Sequence, residues 1–170
     1  MPTPKKTDAI AMLKADHRKV EDLFAKFEAA RGADRKKALA EQICLELMVH
    51  TKIEEDIFYP ACTGEIEEKV VKEAYVEHDG AKVLIAEIKG GGPGDDFYDA
   101  KVKVLSEMIK HHVREEEQPD GMFAQARKAG LDLDMLGEQM AGEKAELLAK
   151  YKGQGAGKPE LHSLSHTRIG

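Results

Sequence analysis

An all-α fold is predicted, specifically an up-down-up-down four-helix bundle with additional C-terminal helices and a flexible tail, and three observations predict it. The chain is rich in Ala, Glu, Lys and Leu, with 5% aromatic residues and no Trp, a balance that favours helix over strand. Apolar residues recur at alternating steps of three and four through four long segments. Only six prolines punctuate the 170 residues, and the breaks are short enough to join antiparallel neighbours.

Residues 1–6 read as a disordered lead. Thr7 is a candidate N-cap for a helix to about Ala30 whose stripe, Ile10, Leu13, Val20, Phe24 and Phe27, closes only if His17 is a member. After the break at Gly32, Asp34 is a plausible cap for a helix that runs to Pro60 on the stripe Ile43, Leu47, His50, Glu54 and Ile57. A third helix, from about Glu65 to Lys89, presents Ala74, His78, Ala81, Ile85 and Ile88. The Gly90 to Gly94 segment must be a loop, after which Asp95 or Asp96 caps a fourth helix, reaching about Gln118, on Val102, Leu105, Ile109, His112 and Glu116. The bundle is thus assigned to residues 7–119. A helical extension, 120–151, is expected on its outside or end without comparable polar core residues, and the Gly-rich residues 152–170 form the expected flexible tail.

The polar members of these stripes share one level. At roughly 1.5 Å of rise per residue, His17, His50, His78 and His112 fall at similar depths. Left alone, four imidazoles and two carboxylates in an apolar interior would cost several kcal/mol per unpaired charge. A single buried histidine is ordinarily structural, and His50 with Glu54 alone is a common helix pair; conjunction on four stripes is what points to a cation. Six N/O ligands without thiolate suit iron, manganese or zinc and exceed the four of a structural zinc site. Two metals bridged by Glu54 and Glu116 use the set most naturally. Phase selects His112 over His111 and leaves Glu55, Glu115 and Glu117 outside the ligand set, Glu115 keeping a minor claim to orient an imidazole. His162 and His166 read as tail residues, and Cys44 and Cys62 as passive small residues.

Net charge bounds the partners. At -6 the chain argues against a general nucleic-acid binder, and the cluster Arg35, Lys36, Lys37 reads as a solvated helix start. No apolar run approaches the roughly 20 residues of a membrane span. Without a secretory leader the two cysteines are expected as reduced thiols, in a cytoplasmic protein.

Asp16-His17, His50-x-x-x-Glu54-Glu55 with Phe58-Tyr59-Pro60, Glu77-His78 and His112-x-x-x-Glu116, in that order, resemble the hemerythrin-like (HHE cation-binding) family over roughly Asp8 to Pro119. The resemblance implies a non-haem centre of two iron ions, oxo- or hydroxo-bridged, held by His17, His50, Glu54, His78, His112 and Glu116, with no catalytic residue beyond the ligands. Oxygen-carrying members have a second third-helix histidine where this chain has Lys82, and end in His-x-x-x-x-Asp. Iron-sensing members have Glu where this chain has Thr51. The chain looks like the H, HxxxE, H, HxxxE subclass, which implies catalase-like, peroxidase or nitric-oxide chemistry. A sensing module for oxygen, nitric oxide or iron is the alternative. Tyr75, three residues before His78 on nearly the same face, is a further candidate ligand for the missing donor, against its reading as a core aromatic.

Overall fold

The computed structural model describes residues 7–155 and 157–165; the expected disordered lead and His166 lie outside them. The described residues are helical, with no strand: α1 (Ala9–Ala29), α2 (Ala33–Ile53), a π-helical turn (Glu54–Phe58), α3 (Tyr59–Cys62), α4 (Glu68–Gly90), α5 (Tyr98–Glu117), α6 (Met122–Lys128) and α7 (Leu133–Gln154). α1, α2 with its π-helical continuation, α4 and α5 form the bundle, α6 lies on α5, and α7 packs against α1 and α2. No described helix is long and apolar enough to cross a membrane.

The core is divided. One apolar cluster contains Leu13, Ile53, Phe58, Ala74, Met122 and Met140, and a second contains Val20, Phe24, Leu47, Ala81, Leu105 and Ile109. Each stripe passes from one cluster to the other through a histidine: His17 between Leu13 and Val20, His50 between Leu47 and Ile53, His78 between Ala74 and Ala81, His112 beyond Ile109. A polar layer therefore crosses the bundle with apolar packing on both sides. Closing it off from water is the work of these clusters.

Local chemistry moves several ends by a few residues. Asp8, not Thr7, caps α1, its carboxylate accepting from the Ala11 N–H at 2.8 Å. Gly32, with φ of 89°, precedes α2 and leaves Asp34 in its first turn. Asp95 ties the glycine loop by accepting from the Gly92 N–H at 2.7 Å, so α5 starts only at Tyr98.

The larger departure is the π-helical turn. Pro60 has no N–H to offer the carbonyl one turn back, and the helix accommodates it by widening: the Tyr59 N–H bonds to the Glu54 carbonyl, five residues earlier. The extra residue rotates the next turn of the helix. Phe58 and Tyr59 become fully buried, whereas Ile57, expected on the stripe, is only half-buried.

The C-terminal end also differs from the expected flexible tail. α7 continues to Gln154, and residues 157–165 run alongside α4. The buried Asp79 carboxylate accepts the N–H groups of His162, Ser163 and Leu164 and the Ser163 hydroxyl, at 2.6–3.1 Å. Burial alone would raise this carboxyl; these donors hold it down at about 2. Such a device carries no apolar period, so composition alone reads as a tail.

Gly137 sets how closely α7 approaches the start of α1. A Cβ there would lie 2.5 Å from the Thr7 carbonyl oxygen and 3.0 Å from the Ala9 nitrogen, both backbone atoms. Alanine in place of glycine ordinarily gains up to about 1 kcal/mol in a helix. Here Gly137→Ala is expected to destabilise instead, by about 1–3 kcal/mol, measured by denaturant unfolding; a gain would show that α7 does not pack this tightly.

Candidate metal centre

Four imidazoles meet at the polar layer as two pairs. His17 Nε2 lies 3.2 Å from His50 Nε2, and His78 Nε2 lies 3.1 Å from His112 Nε2. All four rings are buried. What these nitrogens carry is decided on the far side of each ring, where every Nδ1 faces a carboxylate: His17 to Glu117 at 2.7 Å, His50 to Asp16 at 3.2 Å, His78 to Glu55 at 3.0 Å and His112 to Glu77 at 3.3 Å. An ionised carboxylate only accepts, so it draws the ring proton to Nδ1 and leaves Nε2 a bare lone pair. Two facing lone pairs repel unless a cation lies between them.

Glu54 and Glu116 complete the layer at 0% and 1% exposure. Glu54 Oε1 is 2.8 Å from His50 Nε2 and 3.3 Å from His78 Nε2. Glu116 Oε1 is 3.3 Å from both His17 Nε2 and His112 Nε2. Each carboxylate thus stands between one imidazole of each pair. Yet both oxygens of Glu54 and Oε1 of Glu116 receive no aligned hydrogen bond. Orphaned buried carboxylate oxygens are costly, and a bound cation would satisfy them. Two groups have the geometry to hold one each: His17, His50 and Glu116, and Glu54, His78 and His112. The donor set, N and O only, fits a metal of the iron, manganese or zinc type.

Without a metal, protons take the cation's place. Burial would lower the His50 imidazole, but the Glu54 charge and the hydrogen bond to Asp16 push it up to about 10. His112 is also raised, against its burial, by Glu116 and Glu77. Burial would raise Glu116, yet His112 and His17 bring it well below the usual carboxylate range.

The structure brings together the six residues that phase selected. It does not bring in Tyr75, whose half-buried ring meets Tyr59 edge-on at 5.3 Å and stacks on His162 at 4.0 Å. The phenol in the layer belongs to Tyr59. Its hydroxyl lies 3.0 Å from His78 Nε2 and 3.2 Å from His112 Nε2, and donates to Glu116 Oε2 at 3.2 Å. The π-helical turn explains the miss, since an unbroken α-helix from Glu54 turns position 59 away. Burial and the charges of Glu116 and Glu54 raise this phenol well above its ordinary 10, which keeps it protonated in the metal-free protein.

His112 is buried and His111 exposed, as phase required. Glu115 does not orient a buried ring; it lies 3.7 Å from His111. The orienting acids are Asp16, Glu55, Glu77 and Glu117, each next in sequence to one of the six. The extension also contributes: Lys144 of α7 binds Asp16 at 2.6 Å, and Phe123 of α6 stacks on His17 at 5.9 Å. Burial pushes the Cys44 and Cys62 thiols up to about 12, far from the thiolate that metals take.

Residues 8–124 match the family described as hemerythrin HHE cation binding domain. The chain belongs to that family. Its fold is shared with a crystal structure of a hemerythrin HHE cation binding domain-containing protein from Mycobacterium kansasii, at a TM-score of 0.72 and 23% identity, covering 87% of this chain and 94% of that one. A curated relative, a DNA nickase of Nostoc sp. (strain PCC 7120 / SAG 25.82 / UTEX 2576), is 28% identical over 116 residues, 68% of this chain. The chain spans only 32% of the nickase's length.

The raised imidazole sets a pH dependence for this HHE domain when metal-free. His50 moves from 6.5 to about 10, so its protonated form contributes fully below about pH 6.5 and that contribution is lost as pH rises through about 10. His112 acts in the same direction. Thermal melts in the presence of chelator are expected to fall in midpoint across this window; a flat profile would contradict the assigned proton positions.

Proposed function

We propose that the chain is a non-haem di-iron protein whose centre reacts with hydrogen peroxide, in catalase-like or peroxidase fashion, or with nitric oxide. One observation carries this reading: two pairs of facing Nε2 lone pairs, with two carboxylates between the pairs that leave three of their four oxygens without a hydrogen bond, in a layer closed by apolar clusters. His17 with His50 would hold one iron and His78 with His112 the other, Glu54 and Glu116 bridging. When bound, such a pair of irons supplies two-electron redox chemistry without protein radicals.

The chain's own residues supply the rest. Asp16, Glu55, Glu77 and Glu117 fix each imidazole's proton on Nδ1, so that Nε2 is ready to donate. The apolar clusters exclude water, which strengthens every charge interaction in the layer. Tyr59 Oη donates its proton to Glu116 Oε2 among the Nε2 atoms, and would give it up to become a phenolate more readily were a cation bound at the layer. Tyr59 thereby fills the role assigned to Tyr75 from sequence.

The nickase likeness supports no second reading here. Backbone binding needs clustered free cations, and of the small basic cluster Lys36 is already paired with Asp99 at 2.7 Å. Net charge of -6 supports a small-molecule ligand. The sensing alternative shares the same centre and differs only in lacking turnover.

Iron-loaded protein is expected to evolve oxygen from hydrogen peroxide, with loss by at least about 100-fold in His50→Ala and Glu54→Ala, each of which removes a donor. Turnover no better than free iron, with retained binding of nitric oxide, would replace the enzyme by the sensor. Separately, the oxidised iron protein is expected to show a visible phenolate-to-iron absorption that disappears in Tyr59→Phe and persists in Tyr75→Phe. The reverse pattern would return the role to Tyr75.

A further inference from the structure

The segment 157–165 is tied to more than Asp79. Lys82, the residue at the position where oxygen-carrying relatives have a histidine, donates from Nζ to the Glu160 carbonyl at 2.8 Å and to Glu55 Oε1 at 2.9 Å. Glu55 in turn holds His78 Nδ1 through its other oxygen at 3.0 Å. The His162 ring stacks on Tyr75, which meets Tyr59, and Tyr59 meets His78 at 5.1 Å. Two routes thus run from this segment to the same imidazole. Packing does not fix Glu55 independently, because Glu55 and Lys82 border a cavity of about 430 Å³ between α2, α7 and the segment. On that side the carboxylate is held by the Lys82 ammonium, and the ammonium by the Glu160 carbonyl at 2.8 Å, with Asp79 Oδ1 farther off at 3.7 Å.

We propose that residues 158–165 are a positioning strap for His78: docked on Asp79, they hold Lys82 against Glu55 and so fix the direction in which His78 presents Nε2. Where metal is concerned this rests on the di-iron reading; the orientation of His78 does not. The strap touches none of the six candidate ligands with a hydrogen bond of its own, so its effect travels through Lys82 and through the stacked rings. It acts on His78 and reaches His112 only through Tyr59 and His78. His17 and His50 have carboxylates anchored by Arg18 and Lys144, and are left as they are when the strap lifts.

Ser163→Pro in the full chain removes the Ser163 N–H and hydroxyl donors to Asp79 without altering a bundle residue. Helical circular dichroism should be unchanged, and proteolysis within 155–165 faster. Nitrogen NMR of the histidine side chains in metal-free protein should show His78 displaced and His17 and His50 unmoved. After loading with ferrous iron or zinc alone, loss of metal to a chelator should quicken by about 10-fold, the low end for a residue that supports a ligand. Lys82→Met should reproduce the His78 displacement, and the double variant should add little to either single change, as two parts of one chain of contacts do. Ser163→Pro with a released strap and unmoved His78 resonances would overturn the proposal. His78 displaced in Ser163→Pro, with a parent protein that takes up no metal, would uphold the strap and remove the di-iron reading instead.

Discussion

Everything at the centre depends on which ring nitrogen of each buried histidine carries its proton. An imidazole with a free Nε2 is a ligand, and the same ring with its proton there is not. The choice is made by four carboxylates, and their placement follows from helix geometry. Neighbouring residues on a helix are roughly 100° apart, so the residue beside an inward-facing one points at the flanking helix. Asp16 and Glu77 precede His17 and His78 on α1 and α4; Glu55 and Glu117 follow Glu54 and Glu116 on the antiparallel α2 continuation and α5. Reversing chain direction reverses the sense of rotation, so one step back on an ascending helix and one step forward on a descending one swing the same way round the bundle. The result is a closed circuit: α1 orients the histidine of α2, the continuation of α2 that of α4, α4 that of α5, and α5 that of α1.

The circuit has a charged exterior. Asp16 is bound by Lys144, Glu55 by Lys82 and Glu117 by Arg18, while Glu77 Oε2 lies 3.3 Å from His111 without an aligned hydrogen bond. Such pairs contribute little at a free surface, but here each holds an otherwise uncompensated half-buried carboxylate. In three of the four chains a surface cation, a carboxylate and an imidazole with its Nδ1–H outward and its Nε2 lone pair inward then follow one another toward the centre. That succession is what lets a layer of six polar groups persist between two apolar clusters, where unpaired charges would be destabilising by several kcal/mol each.

The helices and the inward-facing six are legible in the sequence because both depend on the same period. A stripe that closes only through His17, or only through His50 and Glu54, states where those side chains go before any contact is known. The orienting acids obey the same geometry at one remove: a search for an acid just before the lone inward histidine of α1 and α4, and just after the inward glutamate of the α2 continuation and α5, would have found all four. Tyr59 is different. Its placement depends on a single residue of slippage at the π-helical turn before Pro60, and extrapolating an even period across that point puts Ile57 inward and leaves Tyr75 as the nearest phenol. The caps moved for a similar reason, since Thr7 and Asp8 are equally good on paper and only the Ala11 N–H chooses.

Asp79 shows where periodicity stops being informative. Beside His78 it reads as one more helix acid, yet it is fully buried, and its partners are backbone N–H groups more than 80 residues away in a stretch without an apolar pattern. Backbone donors are supplied by any sequence, so nothing in the composition of 157–165 distinguishes a docked segment from a free one. The same holds for Lys144, one of three lysines on α7. The segment on Asp79 and Lys144 both lie beyond the core bundle; Lys144 supplies the cation of the chain to His50, and the segment contacts Lys82, the cation of the chain to His78. The two remaining chains, through Arg18 and His111, begin and end within α1, α4 and α5. One of the four chains is thus completed by the C-terminal region, through Lys144, and a second is touched by it where the Glu160 carbonyl accepts from Lys82.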